Sequence, residues 1–125
     1  MAIQAKLQRE NSPDSYDYVL PGNSYGLRRT ATRSRKLPVA NTTTPVTRGG
    51  VKLTYDREIK TSNGDVSRVQ PQLVEIDFSI PVGVTPAEVA EVFDTAVGIA
   101  RAQLAEIAAG LLPGQVFEFT PDTTA

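Results

Sequence analysis

Residues 73–93 read LVEIDFSIPVGVTPAEVAEVF, and within them the hydrophobic period changes from two to about 3.6. Val74, Ile76, Phe78 and Ile80 alternate with Glu75, Asp77 and Ser79, which predicts a strand with one apolar face. After Pro81 the pattern becomes helical. Thr85 is an N-cap, Pro86 the first helical residue and Glu88 the third, a capping box. Val89, Val92, Phe93, Ala96, Ala100, Leu104, Ile107 and Leu111 then follow helical spacing, with Glu88, Glu91, Asp94, Arg101 and Glu106 opposite them. Gly110 is placed to end the helix, and Gly98, a poor helix former near its middle, leaves open whether the helix is continuous or broken there.

Upstream of this stretch everything reads as strand and turn. Ile3, Ala5 and Leu7 alternate with Gln4, Lys6 and Gln8; NSPDS at 11–15 is turn material, and YDYVL alternates again, which makes an N-terminal hairpin. PGNSYG at 21–26 breaks the chain. LRRTATRSRKL at 27–37 is a polar strand candidate, PVANTTTPVTRGG reads as a loop, and VKLTYDREIK is a strand ending at the turn TSNGD. QVFEF suggests a last short strand and TPDTTA a loose tail. Strands first and a helix last predict an α+β fold, an N-terminal β-hairpin and antiparallel β-sheet followed by a C-terminal amphipathic helix. The chain reads as one domain over 1–125: hairpin 1–20, sheet 27–80, helix 85–110 and tail 111–125. Five or six strands span roughly 24–29 Å, and one helix is only about 10 Å wide. Apolar sheet surface is left over, for which a second subunit is the natural cover.

Composition narrows the function. With no Cys there is neither disulfide nor thiolate metal site, and with no His the commonest general base and metal ligand is gone. No phosphate-cradling glycine loop is present. No enzyme activity, cofactor or metal is therefore expected. There is no run of eighteen apolar residues, and MAIQAKLQRE lacks the apolar stretch of a signal peptide, so no membrane partner is expected. Charge is unevenly spread. Arg28 to Lys60 carries nine basic against two acidic residues, a net of +7, and Glu75 to the end carries eight acids against Arg101 alone, a net of −7. That asymmetry suggests a basic surface for a polyanion and an acidic surface elsewhere.

In order and spacing these segments resemble the coat (capsid) proteins of single-stranded RNA bacteriophages, the levivirus-like family. The resemblance is carried by VKLTYDREI and above all by LVEIDFSIPVGVTPAEVAEVF; it is strong over 51–97 and weak over 21–50. It implies a sheet completed across an interlocked homodimer, helices packed across the partner, and many dimers closing into an icosahedral shell around RNA. The virion is then the location, assembled in the host cytoplasm. The connection between the last two long strands, here roughly Lys60 to Pro71, would contact neighbouring dimers.

The resemblance also implies site residues. Lys52 and Thr54 match RNA-facing positions of one strand, Glu75 and Asp77 those of the next, and Thr30, Thr32, Ser34 and Lys36 an earlier polar strand. With the basic cluster added, the expected single-stranded RNA surface is Arg28, Arg29, Thr30, Thr32, Arg33, Arg35, Lys36, Lys52, Thr54, Glu75 and Asp77. The expected dimer interface is Val89, Phe93, Ala96, Leu104 and Ile107. The family has two helices separated by a break, whereas this pattern runs on to about Ala109. Where the family places an aromatic for base stacking stands Leu73, and Glu75 adds a negative charge. RNA-hairpin binding with translational repression is thus expected less than general packaging. For Lys52 and Asp77, plain cross-strand pairing with an opposite charge remains open beside RNA contact. Tyr16, Tyr18 and Tyr55 read as core or interface. The competing function is a non-viral homodimeric α+β nucleic-acid-binding protein with no shell.

Overall fold

The computed structural model describes residues 2–40, 43–112 and 114–123. Five strands form one antiparallel sheet in chain order: β1 (Lys6–Ser12), β2 (Ser15–Val19), β3 (Arg29–Lys36), β4 (Val46–Lys60) and β5 (Val66–Pro81). Two helices follow, α1 (Pro86–Ala102) and α2 (Leu104–Ala108). The chain divides into two compact units, the sheet up to Val82 and the helical segment from Gly83 onward.

The N-terminal hairpin is as expected, with Lys6 opposite Val19 and Ser12 opposite Ser15, and two irregularities along β1. The third and fourth strands run longer pairings. Arg29 lies opposite Tyr55 and Lys36 opposite Arg48, so β4 begins five residues before VKLTYDREIK, inside the stretch read as a loop. Gly49 and Gly50 hid this strand, since glycine breaks the alternation. Sheet pairing on both sides overrides that local preference. At Gly50 a Cβ would meet the Ile76 carbonyl oxygen at 2.9 Å and an Asp77 carboxylate oxygen at 2.8 Å, so the residue there must be small. Asn41 and Thr42 of the same predicted loop lie outside the described residues.

The connection between the two long strands is a correction. It was expected over roughly Lys60 to Pro71, but β5 already starts at Val66 and pairs Pro71 with Asp56. The Thr61 amide donates to the Asp65 carbonyl at 2.8 Å, the Gly64 amide donates to the Thr61 carbonyl at 3.0 Å, and Gly64 sits at φ 88. The Asn63-Gly64 signal thus closes a tight hairpin.

The helical unit opens as the sequence predicts. The Thr85 hydroxyl accepts from the Glu88 amide at 3.3 Å, and the Glu88 carboxylate accepts from the Thr85 amide at 3.1 Å. The break does not fall at Gly98. The chain is helical through it and interrupted instead at Gln103 (φ −102, ψ 5), after which α2 begins. Neither glycine nor proline stands at that break. Gly98 serves contact: it is buried, and a Cβ there would overlap the Thr120 carbonyl oxygen and come within 2.9 Å of the Pro121 Cα. The C-terminal segment is therefore not loose as far as it is described. The Asp122 amide donates to the Asp94 carbonyl at 3.0 Å, and its carboxylate lies 3.6 Å from Arg101. QVFEF forms no strand; Phe117 and Phe119 instead make a tilted pair with ring centroids 6.1 Å apart.

Among the described residues no hydrophobic side chain is buried, in a chain that is 40% hydrophobic. On β5 Val74 is 50% exposed, and on α2 Leu104 and Ile107 are each 62% exposed. Among the described residues, the sides of the sheet and of the helices that were read as core-facing hold no buried hydrophobic side chain.

Candidate nucleic-acid interface

Directly opposed residues in an antiparallel sheet point to the same face, and neighbours along a strand point to opposite faces. The register therefore sorts the expected site. One cross-strand row reads Arg9, Asp17, Thr32, Lys52 and Glu75; the next reads Val19, Thr30, Thr54 and Leu73. On the same face Ser34 and Gly50 lead to Asp77, and Lys36 and Arg48 lead to Ser79. The structure thus brings Thr30, Thr32, Lys36, Lys52, Thr54, Glu75 and Asp77 together on one polar face.

Arg29, Arg33 and Arg35 are not with them. Alternation along β3 places all three on the opposite face, beside Tyr55, Val51 and Gly49. A strand with polar residues on both faces cannot present all of them to one ligand, and this corrects the grouping of the basic cluster. Arg29 lies over the Tyr55 ring at 5.0 Å and Arg57 at 5.3 Å. Both guanidinium groups lie within cation–π range of the ring. Tyr16, Tyr18, Leu53, Val74 and Ile76 share that mainly apolar face.

The polar face carries an open cleft of about 680 Å³, lined by Gln8, Arg9, Asp17, Asn23, Ser24, Tyr25, Arg28, Thr30, Thr32, Lys52 and Thr54. Its centre is Asp17, which is only 8% exposed. The carboxylate accepts from the Thr32 hydroxyl at 2.7 Å, from the Asn11 amide at 2.9 Å and from Arg9 Nε at 2.9 Å. The Thr32 hydrogen bond first, aided by Asn11 and Arg9, outweighs burial and holds this carboxyl below its ordinary range. At the rim Arg28 binds Asp56 through Nε at 2.8 Å, Nη2 at 3.1 Å and its own backbone amide at 2.9 Å. The Asp56 carboxyl is lowered by Arg28, chiefly through the side-chain hydrogen bond. Lys52 and Glu75, opposed in register, are 3.8 Å apart and both partly exposed, a weak pair.

Sequence reasoning missed Arg9, Asn11 and Asp17. Asp17 was visible only as the polar residue between two tyrosines; its partnership with Thr32 needs the register. The cations lining the cleft each face an acid, so the cleft offers fixed donors and acceptors more than free positive charge. Among the described residues no group of acids could hold a metal ion, and no helix is long and apolar enough to cross a membrane.

No family model matches the chain, and no curated protein matches it. Solved structures do. The chain from the virus-like particle of Beihai levi-like virus 32 superposes with a TM-score of 0.84 at 22% identity, over 95% of this chain and 94% of that one. That of Wenzhou levi-like virus 4 gives 0.73 at 22% identity, over 100% and 87%. That of bacteriophage ESE001 gives 0.70 at 17% identity, over 96% and 99%. The five-stranded meander followed by a broken helix is thus the fold of subunits that build the virus-like particles of levi-like viruses and bacteriophages.

Proposed function

We propose that this chain is a viral coat protein that dimerises, assembles into an icosahedral shell and encloses single-stranded RNA. The observation that carries the proposal is that, among the described residues, no hydrophobic side chain is buried in either unit. Burying one Val, Leu, Ile or Phe is worth about 1.5–3 kcal/mol, so a chain that leaves its apolar faces half exposed gains its stability from a partner. Of the two outermost strands β5 is the longer, 16 residues with one edge unpaired among the described residues, an open template for a second copy. Val89, Phe93 and Ala96 on α1 with Leu104 and Ile107 on α2 supply the helical part of the dimer interface. The fold shared with particle-forming subunits supports the same reading.

In this reading the polar face looks inward. Arg28, Thr30, Thr32, Lys36, Lys52 and Thr54, with Glu75 and Asp77 between them, meet the RNA, while Arg29, Arg33 and Arg35 sit in the subunit layer. Leu73 has no ring to stack on a base, so packaging is general rather than directed at one hairpin. Expression of the chain alone followed by size-exclusion chromatography, negative-stain microscopy and an absorbance spectrum tests the proposal. Megadalton, spherical, nucleic-acid-containing particles are expected. A stable dimer that binds nucleic acid without a shell would instead establish the non-viral reading, and a stable monomer would end both.

A further inference from the structure

We infer that Lys36 and Arg48 form a two-cation site for a phosphate group on the polar face, separate from the Asp17 cleft. The two residues are directly opposed in register at the end of β3 and on β4. Like charges placed opposite one another across a strand pair repel. The other cations in the middle of this face are neutralised: Arg9 by Asp17, Arg28 by Asp56 and Lys52 by Glu75. Neither Lys36 nor Arg48 makes a side-chain hydrogen bond or ion pair among the described residues, and both are exposed.

The surroundings suit an anion. A depression of about 500 Å³ is lined by Ser34, Lys36, Arg48 and Ser79, with Arg35 also in its lining, and a second of about 230 Å³ meets it at Lys36 and Arg48. Ser34 and Ser79 place hydroxyl donors on either side, and Gly49 and Gly50 add no side-chain bulk. Asp77 lines the larger depression too, but its carboxylate is turned over Gly50, 2.8 Å from where a Cβ would stand, and pairs with neither cation. A bound phosphate would convert the repelling pair into two charge-assisted contacts. Lys52 lies four residues along β4 from Arg48, about 13 Å at strand spacing, so one RNA strand can reach both places.

A phosphodiester of RNA and a free phosphate ion share this chemistry, and assigning the site to RNA rests on the coat-protein reading. The test uses the purified full chain freed of nucleic acid at high salt. A fluorescein-labelled oligouridylate is titrated by anisotropy across a salt series, and inorganic phosphate is followed by its effect on the melting temperature. Each phosphate contact to a single strand adds about 0.7 to the slope of log affinity against log salt. The double variant Lys36→Ala with Arg48→Ala is expected to lower that slope by about 1.4 and to abolish the phosphate-induced rise in melting temperature. The matched double variant Arg29→Ala with Arg33→Ala, on the other face, is expected to do neither. Should the first double variant fold poorly, Lys36→Gln alone, with a loss of about 0.7, carries the same measurement. Loss of the phosphate response with an unchanged RNA slope supports the site with the free ion as its ligand. Parent-like behaviour of the Lys36 variants in both titrations overturns the proposal. Shell formation is scored separately by microscopy, so a failed site and a failed coat-protein reading are told apart.

Discussion

The sheet and the helical unit are held by different kinds of information. In the sheet each strand is fixed by neighbours far away in the chain. Asp17 needs Thr32, Arg28 needs Asp56 and Lys52 needs Glu75. In the helical unit the start is fixed within four residues by Thr85 and Glu88, and the fold-back by one crossing at Gly98. A local device can be lost without disturbing distant residues, whereas a register device ties several strands together. Among the described residues neither unit buries a hydrophobic side chain, so under the proposed function both kinds of order would be completed by burial between copies.

The largest expected effect lies where the helical unit would meet a second copy in the proposed dimer. Phe93→Ala should cost about 3–5 kcal/mol of assembled stability, as truncation of a buried aromatic does. Particles should disappear from the void volume, and an assembled variant with parental melting would show that the helix face is not an interface. Next is the crossing. Gly98→Val puts side-chain atoms where the Thr120 carbonyl lies and should cost about 1–3 kcal/mol. Limited proteolysis should then cut the C-terminal segment first, while the sheet stays protected.

Asp17→Asn tests the register side of the comparison. It leaves Arg9 without its carboxylate and should cost about 1–3 kcal/mol in chemical denaturation. Its pH dependence has a definite sign. The folded carboxyl is held below its ordinary value, so its stabilisation is full above about pH 4 and is lost as pH falls through the lower folded value. The parent should lose stability in that acid window, and the Asn variant should lose less of it. The smallest effect is at the cap. Thr85→Ala should cost about 1 kcal/mol, read as reduced helicity and a modestly lower melting temperature. Glu88, also held below the ordinary carboxyl range by the Thr85 backbone and side-chain hydrogen bonds, should show a parallel acid-side loss.

What was legible in advance follows the same division. LVEIDFSI, the Asn63-Gly64 turn and the Thr85 cap act over a few residues, and each appears in the structure where the sequence puts it. The start of β4 was hidden by Gly49-Gly50, because pairing with β3 and β5 makes a strand where local preference does not. The sequence leaves open whether the helix is continuous or broken at Gly98; the helix runs through Gly98, which the chain crosses, and is interrupted at Gln103. The polar strand 27–37 was recognised, but its arginines were assigned to one surface.

The sequence by itself determined the kinds of element, their order, the helix start and the uneven charge, because period, turn and cap chemistry are local. Only the tertiary structure decided which residues share a face. Alternation along β3 sends Arg29, Arg33 and Arg35 to one side and Thr30, Thr32 and Lys36 to the other. Pairing across the strands then neutralises Arg9, Arg28 and Lys52 and leaves Lys36 opposite Arg48. The physical reason is that charge along a chain is a sum over residues, whereas the field that a ligand meets depends on which of them stand side by side.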